Sequence, residues 1–153
     1  MSERPQILVV EDDAEQADWF EERLRDSLKD VSIWRIASEH EVYRSGTRLR
    51  MTRPRLAIVD VLLPLATPDS VTAALPEGEA PPDPFGAGLR VAAWLKSPEI
   101  LPDIHVVFYT VRNLERVNQQ IQAMGLGTGT TLLPKGRGRT EDLIRIVSRV
   151  LKA

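Results

Sequence analysis

The chain of 153 residues contains no cysteine. That removes disulfides, thiolate nucleophiles and thiolate metal ligands, and it is compatible with a reducing compartment. Histidine is scarce: His40 and His105 are the only two. Neither has a second histidine or a base at useful spacing, so both read as structural residues. No apolar run approaches the ~20 residues of a membrane-spanning helix. The polar start Met1-Ser2-Glu3-Arg4-Pro5 is unlike a signal peptide, so a cytoplasmic location is expected. A net charge of -2 gives no general attraction for nucleic acid or an anionic membrane. What remains is 42% hydrophobic and 27% charged, ordinary for one soluble domain with a real core.

Four apolar runs each end in a polar or charged residue. Ile7-Leu8-Val9-Val10 leads into Glu11-Asp12-Asp13, and Leu56-Ala57-Ile58-Val59 into Asp60. Val106-Val107-Phe108-Tyr109 leads into Thr110, and Thr131-Leu132-Leu133-Pro134 into Lys135. Runs covered on both faces read as strands of a parallel sheet. Between them the apolar spacing turns helical, as in Ala17, Phe20, Leu24 and Leu28. The pattern predicts strands over 6–10, 31–37, 55–63, 105–110 and 130–134. It predicts helices over 14–29, 39–49, 88–97, from Leu114 to a stop at Gly125, and over 140–152. The strand over 31–37 is the less apolar one and belongs near an edge. Five βα units in succession predict a parallel sheet with helices on both faces and right-handed crossovers. A ligand site in such a sheet lies beyond the carboxyl ends of the strands, where Glu11, Asp12, Asp60, Thr110 and Lys135 stand.

One stretch interrupts the alternation. Residues 65–85 hold Pro68, Pro76, Pro81, Pro82 and Pro84, with Asp69, Glu77, Glu79 and Asp83 and no lysine or arginine. That is too long for an ordinary βα loop and too proline-rich for a helix. The expected organisation is one domain over 1–153 with an acidic, proline-rich insertion at about 65–87, either a cover or docking element for the site or a tolerated addition.

Glu11, Asp12 and Asp60 in one crevice would repel one another. A hard divalent cation such as Mg²⁺ resolves this with carboxylates, a carbonyl and waters. Lys135 offers a point charge for a phosphoryl oxygen, and Thr110 a hydroxyl donor. Together they form the apparatus for placing a phosphoryl group on Asp60. Each has a plainer reading. Asp12 or Asp13 alone caps the next helix as readily, and Asp60 could do likewise. Lys135 alone is a surface lysine, and Thr110 a strand-end hydroxyl. The conjunction at separate strand ends favours the site.

With these motifs in place, the sequence resembles the receiver domain of two-component response regulators (CheY-like). The matching pieces are Ile7 to Asp13, Val59 to Pro64, Phe108-Tyr109-Thr110 and Leu133-Pro134-Lys135. The resemblance implies an α/β, flavodoxin-like (βα)5 three-layer sandwich with strand order 2-1-3-4-5. It implies Asp60 as phosphoacceptor from a sensor histidine kinase or a histidine phosphotransfer protein. Mg²⁺ would be held by Asp12, Asp60 and the backbone carbonyl of Leu62, with Glu11 acting through water. Lys135 and Thr110 would hold phosphoryl oxygens, and Thr110 would report the state to the last two helices. Output would pass to an unknown downstream protein. The last two helices with the final strand are the usual dimer face. Such a domain is no enzyme for external substrates; it catalyses only its own phosphotransfer and autodephosphorylation.

The sequence departs from the pattern at several places. Leu132 stands where the family usually has an aromatic switch residue. Gly136 follows the lysine where proline is usual, and Val111 replaces a small residue after Thr110. Leu62 is apolar and cannot position an attacking water, which implies slow self-hydrolysis. A second reading is therefore a pseudo-receiver that signals without phosphorylation. A third, a phosphoaspartyl hydrolase of the haloacid dehalogenase type, requires an aspartate at position 62 and is disfavoured. Elsewhere, Arg44, Arg48, Arg50, Arg53 and Arg55 form a basic stretch read chiefly as a solvated face, with an acidic partner or nucleic acid as the alternatives. Residues 125–129 carry three glycines after a helix and before a strand, the wrong order for a phosphate cradle, and read as a helix stop.

Overall fold

Three of the five strands are apolar enough to be covered on both faces, and they occupy the middle of the sheet. In the computed structural model, which describes residues 6–28, 30–61, 86–110, 114–134 and 140–152, these are β1 (Gln6–Val10), β3 (Leu56–Val59) and β4 (His105–Thr110). β2 (Ser32–Ile36) and β5 (Thr130–Pro134), with half-exposed residues, form the edges. All pairings are parallel, in the order β2-β1-β3-β4-β5. This is the strand order that the resemblance implies, and β2 has the edge position expected for it.

The sheet separates two cores. On one face α1 (Ala14–Ser27) and α6 (Thr140–Lys152) bury Phe20, Leu24, Leu143 and Val147 against Ile7, Val9, Ile58 and Val107. On the other, α2 (Glu39–Arg44), α3 (Gly46–Thr52), α4 (Ala87–Leu95) and α5 (Leu114–Ala123) cover Leu8, Val10, Val59, Val106 and Phe108. Successive strand residues point to opposite faces, so Phe108 and Tyr109 enter different cores. Tyr109 meets Phe20 edge to face at 5.1 Å.

The expected single helix over 39–49 is two helices. The Ser45 hydroxyl donates to the Glu41 carbonyl at 2.8 Å, and Ser45 itself has a non-helical backbone. Glycine follows at 46, where a helix interior is disfavoured. The second helix runs on to Thr52, where Arg53 closes it in the left-handed conformation (φ 50°). The strand expected over 55–63 ends at Val59, which leaves Asp60 just past its end. The insertion from 65 to 85 lies outside the described residues. Gly125 (φ 71°) ends α5 as expected, and the glycine loop is structural. The Lys96 ammonium donates to the carbonyls of Ile104, Thr128 and Gly129, fastening the end of α4 to the loops that precede β4 and β5.

Beside that clamp, His105 Nε2 sits 3.0 Å from the Thr131 hydroxyl. Burial, then the charges of Lys96 and Arg149, push its pKa below the ordinary 6.5. The folded state therefore keeps His105 neutral where the unfolded chain takes up a proton. Stability rises with pH between the lowered folded value and about 6.5, and falls as pH drops through that window. Denaturation midpoints from neutral to mildly acid pH will show this slope, and His105→Gln will remove its share.

Candidate functional site

Backbone hydrogen bonds carry the carboxylates to the sheet edge. The Glu11 amide donates to the Ile36 carbonyl and the Asp60 amide to the Val10 carbonyl, each at 3.0 Å. These bonds continue the parallel ladder one residue past β1 and β3, so both side chains emerge at its carboxyl end. With Asp12, they place one carboxylate oxygen each within 4.8 Å of one another. Glu11 (6% exposed) and Asp60 (8%) are buried, whereas Asp12 is exposed. The cluster thus opens to solvent on its Asp12 side.

Neighbouring acids divide the work. Asp13, not Asp12, caps α1: its Oδ1 accepts from the amides of Glu15 and Gln16 at 3.0 and 3.2 Å. Glu11 Oε1 accepts from the Asp13 amide at 3.3 Å. Three carboxylates with no sulfur or imidazole are the donor set of a hard divalent cation, and Mg²⁺ fits it. Three negative groups this close favour a cation electrostatically as well.

Thr110 closes β4 and is buried (1% exposed), in register with Pro134 of β5. Lys135 follows Pro134 in the chain and lies outside the described residues, as do Leu62, Val111 and Gly136. Leu132 packs into the core that also holds Phe108, on the face opposite Tyr109. Tyr109 therefore does not share a face with Thr110 and is no substitute for an aromatic at 132.

Sequence reading missed three residues that hold this site in place. Gly88, in the first turn of α4, donates its amide to the Val61 carbonyl at 2.9 Å. A Cβ there would stand 2.2 Å from the Asp60 carbonyl oxygen and 2.5 Å from Val61 Cα, so only glycine fits. Two residues on, Arg90 forks onto Glu39 with two bonds of 2.8 Å. Glu39 is 2% exposed and also accepts from the Tyr43 hydroxyl at 2.5 Å. The available signals were a glycine in a first turn and a lone arginine in the otherwise apolar helix Ala87–Leu95. Gly88→Ala must move backbone, not a flexible side chain. We expect about 3 kcal/mol of lost stability by denaturant titration, with weaker Mg²⁺ binding in the same variant.

Comparison with known proteins finds no matching protein-family model and no matching curated protein. Solved structures do match. The signal receiver domain of a DNA-binding response regulator from Colwellia psychrerythraea is 18% identical, with TM-score 0.66, covering 97% of this chain and 99% of that one. The signal receiver domain of a signal transduction histidine kinase from Syntrophus aciditrophicus is 25% identical, with TM-score 0.64, covering 97% and 90%. A Mn²⁺-bound form of a response regulator is 22% identical, with TM-score 0.59, covering 95% and 91%.

Proposed function

We propose, starting from the CheY-like receiver fold that this chain has, that it is a phosphoacceptor signalling domain of a two-component histidine–aspartate relay. The observation that carries the proposal is the gathering of Glu11, Asp12 and Asp60 at the carboxyl edge of the sheet. In this reading Asp60 is the nucleophile. One of its carboxylate oxygens forms a bond to phosphorus as the bond to the donor imidazole nitrogen breaks, and the electron pair leaves on that nitrogen, which takes up a proton. Asp12, Asp60 and the Leu62 carbonyl would hold Mg²⁺, with Glu11 acting through water, and Mg²⁺ there would supply positive charge beside the phosphoryl oxygens. Thr110 donates its hydroxyl to one of those oxygens, and Lys135 brings a positive charge to another. The donor is a sensor histidine kinase or a histidine phosphotransfer protein, and the output is a protein contact. No enzymatic turnover of an external substrate is expected.

Acetyl phosphate with Mg²⁺, followed by intact mass measurement, tests the proposal. The expected result is one added phosphoryl group that chelation of Mg²⁺ prevents. No added mass would defeat it. The second reading, a pseudo-receiver, draws support from Leu132, a leucine where the family's switch is aromatic. Mg²⁺-dependent beryllofluoride binding that shifts the spectra of α5 and α6 would count against that reading.

The phosphoaspartate is expected to be long-lived. The Leu62 side chain offers no polar atom to orient an attacking water, so decay after removal of the donor will be slower than in fast chemotaxis-type receivers. Leu62→Gln will speed decay by about tenfold. Equal lifetimes in the two proteins would refute the assignment.

A further inference from the structure

Within a chain of net charge -2, residues 42–59 contain five arginines and no aspartate, glutamate or lysine. They include α2's end and all of α3, and none of them belongs to the acidic cluster. Several surface arginines of other elements are paired with acids: Arg25 with Glu21, Arg35 with Asp18 and Glu21, Arg145 with Asp142; among the described residues Arg23, over the Trp19 ring, and Arg149 make no ion pair. Arg55 caps α6 by donating to the carbonyls of Val150 and Leu151. Among the described residues Arg44, Arg48, Arg50 and Arg53 make no ion pair, and all four are exposed. Arg48 lies over the Trp34 ring at 4.0 Å, which fixes its guanidinium in place at the β2 edge. Among the described residues three large hydrophobic residues are exposed, and two belong to this same stretch: Tyr43 (36%) and Met51 (79%).

Arginine, tyrosine, tryptophan and methionine without lysine, and with Glu41 the one acid of α2 and α3 that is not buried, is the composition of a protein-contact surface. A surface that served only for solubility would mix both charge signs. α3 alone, seven residues from Gly46 to Thr52, rises about 10 Å, the reach of about three extended residues. We infer that the exposed side of α2 and α3 is a docking surface for an acidic protein segment, whose carboxylates meet Arg44, Arg48, Arg50 and Arg53 and whose apolar side chain covers Met51. The surface is separate from the phosphoacceptor site, so it stands whether or not Asp60 is phosphorylated.

The test uses the full chain and labelled probes at physiological ionic strength. The probes are a short Asp/Glu peptide with one central leucine, the same peptide without leucine, and a single-stranded oligonucleotide of equal charge. The leucine peptide should bind tightest. Arg44→Glu with Arg50→Glu should weaken both peptides by about tenfold or more. Met51→Ser should weaken only the leucine peptide, by about threefold to tenfold. Arg145→Glu with Arg149→Glu makes the same change in net charge on another face and should leave binding within about twofold. None of the substituted side chains is buried, and matching thermal midpoints will confirm folding. Absence of peptide binding, equal loss in the Arg145/Arg149 control, an indifferent Met51→Ser, or tighter oligonucleotide binding through the same arginines would each overturn the inference.

Discussion

Asp60→Asn will abolish phosphoryl incorporation from acetyl phosphate, a loss on the order of 10³-fold or more, as expected when a covalent nucleophile is removed. The amide keeps the size and the backbone position, because the Asp60 amide bond to the Val10 carbonyl does not involve the side chain. What it lacks is the anionic oxygen that attacks phosphorus, and one of the three charges that attract Mg²⁺. A second measurement separates these losses from misfolding. A ligand that binds only the folded state raises stability by about 2.7 kcal/mol at a hundred times its dissociation constant. Mg²⁺ should therefore raise the thermal midpoint of the parent protein, and raise that of Asp60→Asn much less at equal concentration. Phosphoryl incorporation that persists in Asp60→Asn would show that another residue is the acceptor. Equal Mg²⁺ stabilisation of both proteins would show that the three carboxylates do not act as one site.

Arg90→Met will destabilise the domain by about 3–5 kcal/mol, the cost of stranding a buried charge. Glu39 is nearly without solvent and depends on the Arg90 fork for compensation. Burial pushes its carboxyl pKa up, but the hydrogen bonds from Arg90 and Tyr43, and the Arg90 charge, outweigh this and hold it below the ordinary 4.5. A lowered acid stabilises the fold fully above its unfolded value, and loses that contribution as pH falls through the folded one. The wild type will thus keep the pair's contribution down to about pH 4.5, and the loss caused by Arg90→Met will shrink in more acid solution. Removing both partners, as Glu39→Leu with Arg90→Met, should recover most of the loss, because a well-packed apolar pair often matches a buried ion pair. Chemical denaturation of the four proteins forms a double-mutant cycle, with an expected coupling of about 2 kcal/mol or more. Additive single effects would mean that the fork is not energetically coupled.

The fold was legible because its signals are local and repeated. Ile7 to Val10, Leu56 to Val59 and Val106 to Tyr109 are continuous apolar runs, and each is a central strand. The cluster residues were legible from their place at the ends of those runs. The capping role was ambiguous between Asp12 and Asp13, since adjacent residues differ only in direction, which periodicity does not encode. The break at Ser45 was missed because helical spacing continues through it: Val42 and Leu49 are both buried on the same side of the chain. Glu39 and Arg90 lie 51 positions apart, with the insertion between them, and no sequence pattern links residues at that separation. The arginines of α3 were read as a solvated face because the sequence does not show which of them have acidic neighbours in space.

The hydrogen bond between Gly88 and Val61 also makes the domain a ready host for engineering. Val61 and Gly88, on either side of the insertion in the sequence, are joined by one bond of 2.9 Å. Closure entropy rises only slowly with the length of chain between fixed ends, about 0.6 kcal/mol per doubling. A folded guest whose own termini lie close together, such as a fluorescent reporter, could therefore replace the interior of that stretch at little energetic cost. It would leave the scaffold next to Asp60, where its emission would register chemistry at the neighbouring carboxylates.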